Sequence, residues 1–89
     1  MARRIRLTGK EASVVRALLS PEPVPWAELL ELTKLSPEDL VDILNGLIST
    51  GFVEPIPHAE DVHLESVKDF SFEANPAYAG ELKGAIKRN

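Results

Sequence analysis

Leu35-Ser36-Pro37-Glu38-Asp39-Leu40-Val41-Asp42-Ile43-Leu44-Asn45-Gly46-Leu47-Ile48-Ser49-Thr50-Gly51-Phe52-Val53 is the stretch that decides the fold. Ser36 is suited to accept a hydrogen bond from the first free amides of a helix. Pro37 falls at the first helical position, where a missing N–H costs nothing. Asp39, three residues after the cap, completes a weaker version of the capping box and suits the positive end of the helix dipole. Leu40, Ile43, Leu44, Leu47 and Ile48 then mark one apolar stripe of a helix. Gly51 is a stop signal of the kind that needs positive φ. Phe52 and Val53 restart the chain as a strand.

Outward from this stretch, Thr8-Gly9-Lys10-Glu11 is a capping box that predicts a first helix over 9–19. Its buried face is Ala12, Val15, Leu18 and Leu19, with Val14 flanking. Ser20-Pro21-Glu22-Pro23 ends it, because prolines so closely spaced cannot continue a helix. Pro25 then opens a short second helix carrying Trp26, Leu29, Leu30 and Leu32, with Trp26 expected in the core. The turn Thr33-Lys34-Leu35 joins it to the helix that Ser36 caps. After that helix, residues 52–56 read as a strand kept short by Pro55 and Pro57. The polar, acidic segment 57–66 reads as a loop, and 67–73 as a returning strand. Asn75 caps a last helix that Pro76 opens, with Tyr78, Leu82 and Ile86 at i, i+4 and i+8.

The turn at 33–35, the cap Ser36, the apolar stripe after it, and Gly51-Phe52-Val53 leading into a hairpin together resemble a winged helix-turn-helix domain. The resemblance covers residues 8–73, most of the chain. It implies an α+β fold: a three-helix core, a two- or three-stranded antiparallel wing, and here an extra C-terminal helix. As one domain, 1–89 would divide into a helical core with the first wing strand (8–56), the wing (57–73) and the C-terminal helix (75–88). The fold serves both DNA binding and protein contact, so the surface residues must decide between them.

Net charge is −4, and its placement is uneven. Residues 1–20 carry +4, residues 21–75 carry −10, and residues 76–89 carry +2. In DNA-binding members of the resembled family the third helix enters the major groove. Carried onto this sequence, its exposed positions are Pro37, Glu38, Asp39, Val41, Asp42 and Asn45, with Ser49 further along. Three are carboxylates, none is Lys or Arg, and only Asn45 suits base reading. The wing segment adds Glu60, Asp61 and Glu65. Carboxylates within a Debye length of phosphates repel them. Glu38, Asp39, Asp42 and Asn45 are therefore candidates for contact with a protein partner, in an adaptor or regulatory role. The alternative is a DNA-binding transcriptional regulator that holds the phosphate backbone through Arg3, Arg4, Arg6, Lys10, Arg16, Lys83, Lys87 and Arg88.

Tyr78, Leu82 and Ile86 form a stripe that buries either against the first helix or against a second copy, which makes them dimer candidates. His58 and His63, with Glu60, Asp61 and Glu65 near, match no standard metal-ligand spacing. No Gly-rich phosphate loop and no framed Ser/His/Asp set is present. The expectation is therefore no enzyme, no metal and no cofactor. There is no Cys, no membrane-spanning apolar run and no signal-peptide pattern, which points to a cytoplasmic protein.

Overall fold

The computed structural model describes residues 7–88. Helix α1 runs Gly9–Leu18 behind the expected capping box. The Thr8 hydroxyl accepts from the Glu11 N–H at 3.2 Å, and the Glu11 carboxylate accepts from the Thr8 N–H at 2.9 Å. A two-residue strand β1, Val24–Pro25, precedes α2, Trp26–Thr33. Lys34 closes α2 in the left-handed region at φ 58° and donates its N–H to the Leu30 carbonyl. Helix α3, Pro37–Ser49, starts on Ser36, whose hydroxyl accepts from the Asp39 N–H at 3.2 Å. It ends in a Schellman motif. The Gly51 N–H reaches the Ile48 carbonyl, and the Phe52 N–H reaches that of Leu47, both at 3.0 Å. Gly51 sits at φ 84°, so any side chain there would be strained.

Strands β2, Val53–Ile56, and β3, Ser71–Ala74, follow. The sheet is antiparallel in the order β1-β3-β2, with Val24 opposite Phe72 and Pro55 opposite the same Phe72 from the other side. A 3₁₀ turn, Pro76–Tyr78, leads into α4, Ala79–Arg88. Four helices and a three-stranded antiparallel sheet in this order make an α+β arrangement compatible with a winged-helix-like fold.

Prolines stand on both edges of the sheet. The Trp26 N–H donates to the Phe70 carbonyl, so the alternate residue Pro25 turns its backbone away from β3. On the other side the Phe52 carbonyl accepts from the Asn75 N–H. That parity puts the backbone groups of Glu54 and Ile56 on the bonded side of β2 and turns those of Val53 and Pro55, whose side chains are buried, to the open edge. With no N–H at Pro25 or Pro55, neither edge presents a full row of donors to an added strand.

The core is one contiguous cluster. Phe72, on the central strand, is fully buried, together with Leu18 of α1, Leu29 of α2, Leu40 and Leu44 of α3, and Leu82 of α4. Trp26 is buried there too. The pattern of the sequence predicts most of this set, and three readings change. Val24 and Pro25 form the additional strand β1, with Pro25 still standing at the start of α2, because Phe72 lies opposite Val24 and draws it into the sheet. Residues 67–69 form a 3₁₀ turn, so the returning strand is only 71–74. Val41, expected on the exposed face of α3, is buried, and so is Val62 from the polar loop. The apolar stripe 78–86 packs on its own chain, one of the two alternatives that the spacing allows. Leu82 is fully buried against the core, Ile86 is half-buried, and Tyr78 lies edge-on to Phe52 with ring centroids 5.1 Å apart. Of the three dimer candidates, Leu82 is taken up by the protomer's own core, and Tyr78 and Ile86 keep part of their surface exposed.

Candidate interaction site

Helix α3 and the β2–β3 connection, 57–70, form one continuous side of the molecule, held together by an asparagine. The Asn45 side-chain amide donates to the Val62 carbonyl at 2.9 Å, and its oxygen accepts from the Val62 N–H at 2.7 Å. Both halves of the amide thus close on one residue of the connection, and the Val62 side chain is driven into the core. At the far end of the connection the 3₁₀ turn packs against α2, and Val67 is buried. The connection is therefore a packed cover with a charged outer surface. Its polar composition hides this from the sequence. The available signal is the β-branched pair Val62 and Val67, although Leu64 between them is equally apolar and stays exposed.

On this side Glu38 and Asp42 of α3 are exposed, as are Glu60, Asp61 and Glu65 of the connection, with Lys68 near its end; Glu54 is exposed on the outer face of β2. From Leu35 to Val67 there are seven carboxylates, counting Asp39, and no Lys or Arg. Of the residues proposed for partner contact, Glu38 and Asp42 present free carboxylates on the surface. Asn45 is occupied by Val62 and does not project as a reader. Asp39 accepts from the Lys10 ammonium of α1 at 3.0 Å, with both side chains substantially in solvent. This pair joins the start of α1 to the start of α3, and it couples one residue from each of the two candidate sets.

The rest of the cationic set lies elsewhere. Arg16 of α1 and Lys83 and Lys87 of α4 are exposed on two helices that pack together. Arg88 closes α4, and Arg3, Arg4 and Arg6 lie outside the described residues. Lys83 and Ala79 line a surface hollow of about 440 Å³ with Leu18 to Pro21, so α4 begins beside the end of α1. Arg16 borders a second hollow with Ser13, Ala17 and the exposed Leu32.

His63 Nε2 lies 3.4 Å from the Asp61 carboxylate, both in solvent. Among the described residues no three His, Cys, Asp or Glu side chains converge as metal ligands. Among them, too, every buried side-chain nitrogen and oxygen has a partner. No helix of the described residues is long and apolar enough to cross a membrane.

Searches of protein-family models, of curated proteins and of solved structures find no match to this chain.

Proposed function

We propose that this chain is a winged-helix domain that works as a protein-interaction or regulatory adaptor, binding a basic partner through the acidic side formed by α3 and the wing. In this reading α2 and α3 are the helix-turn-helix pair and the β2–β3 connection is the wing. The observation that carries it is the run from Leu35 to Val67, seven carboxylates without one cation, on the elements that a DNA-binding relative would turn toward phosphates. Glu38 and Asp42 stand exposed near the start of α3, where a DNA reader would place Arg, Lys or Asn. A partner with Lys or Arg on its surface gains attraction there and faster encounter.

Reversing Glu38 and Asp42 to Lys tests this. Both side chains are exposed, and Asp39 is left in place because it holds Lys10. The double variant keeps its fold and loses capture of the partner from native lysate. Capture at the wild-type level by a folded double variant removes the reading.

A second reading rests on Arg16, Lys83 and Lys87, exposed on neighbouring helices. There the domain holds nucleic-acid backbone without reading bases, and its affinity falls steeply as salt rises.

A further inference from the structure

Asn45 and Gly46 form an Asn-Gly pair in the middle of α3. Two independent observations mark it. The Asn45 amide makes both hydrogen bonds that hold Val62 and, with it, the β2–β3 connection. Gly46 has no packing reason to be glycine: a Cβ built there meets nothing within 4 Å, and its backbone is not in the left-handed region. Glycine is the poorest helix former after proline, so its presence mid-helix weakens α3 at this point for no gain in fit. Asn followed by Gly is also the pairing in which the next backbone nitrogen is least shielded by a side chain.

We propose that Asn45 is a deamidation site and that its conversion unlatches the β2–β3 connection from α3. The Gly46 backbone nitrogen gives up its proton to solvent hydroxide and attacks the Asn45 side-chain carbonyl carbon. A new C–N bond forms, the C–NH₂ bond breaks, and ammonia leaves. The resulting succinimide takes up one water and opens at either carbonyl, to aspartate or to isoaspartate. One water enters and one ammonia departs, with no change of oxidation state.

The native fold restrains this reaction twice. Gly46 lies inside α3, so its N–H is held by the helix, and the Asn45 side chain is held by Val62. The reaction therefore runs through local opening of α3 and its cover. Once it has occurred, closure is impaired. A carboxylate is an acceptor only, so an aspartate in place of Asn45 keeps the Val62 N–H but loses the bond to the Val62 carbonyl and sets negative charge against that oxygen. Isoaspartate adds a methylene to the backbone and breaks the helix repeat. Both products weaken the hold on Val62 and add charge beside Asp42.

The test incubates the folded protein in mildly alkaline heavy-oxygen water and maps residue 45 by mass spectrometry. Wild type gains the acid with solvent oxygen, slowly when folded and faster in urea. Gly46→Ala, which fits the open space, keeps the amide under both conditions. In parallel, hydrogen exchange is read at the Val62 amide. Asn45→Asp exchanges there about five- to tenfold faster than wild type, while Leu44 stays protected. Conversion of Gly46→Ala at the wild-type rate, or Val62 exchange unchanged in Asn45→Asp, overturns the proposal.

Discussion

The α3 side and the α1–α4 pair both rest on the same buried core, yet they are finished in opposite charge and by different means. On the α3 side the apolar frame is set by a serine cap, a Schellman stop and an asparagine latch, and the outer surface is acidic from Leu35 to Val67. On the α1–α4 side a capping box and the buried Leu82 fix the helices, and Arg16, Lys83 and Lys87 stand outside. The frame and the surface vary independently. Apolar spacing and caps specify where helices pack, and place no demand on the sign of the charges facing water. A fold resemblance carried by the frame therefore says little about the ligand, and the surface has to be read residue by residue. The bond from Lys10 to Asp39, which crosses between the two sides, is a surface pair and weak by nature.

The largest effect expected is at the anchor of the basic side. Leu82→Glu puts an unpaired carboxylate into a fully buried site and removes the side chain that seats α4 on the core. A loss of about 4 kcal/mol or more follows, comparable to the whole stability of a domain this small. Circular dichroism should show an unfolded or severely destabilised chain. A folded variant that merely changes its oligomeric state would mean that α4 is seated on another copy, and the contrast between the two sides would have to be redrawn.

The smallest effect is at the bridge between the sides. Lys10→Ala removes an exposed pair, so stability should drop by no more than about 0.2–1 kcal/mol, and less in high salt. Thermal melts at low and high salt check this. A loss of several kcal/mol that salt does not touch would show the two sides to be one coupled unit.

Legibility followed the range of the interactions. Caps and stops act within a few residues, so Thr8, Ser36, Pro37 and Gly51 declared the ends of α1 and α3 in the sequence. Strand β1 was hidden because two residues have no period, and its pairing with Phe72 is long-range. Apolar spacing understates the buried arc of α3, because the burial of Val41 depends on the elements that pack around the helix. The amide of Asn45 looked like a reader of bases because its true partner, Val62, lies in a loop without a pattern. The charge distribution was plain from the start, and so were Glu38 and Asp42. Which carboxylate was engaged was not, because the Lys10–Asp39 pair depends on how α1 packs against α3.

The central claim is that the acidic finish of α3 and its cover outweighs the cationic helices toward a polyanion. The direct measurement is fluorescence anisotropy of a labelled random-sequence duplex, titrated with the protein at about 50 mM and then about 200 mM salt. No binding at the lower salt is the predicted result. Tight binding there that weakens steeply at the higher salt would contradict the claim, and would assign the function to the basic side.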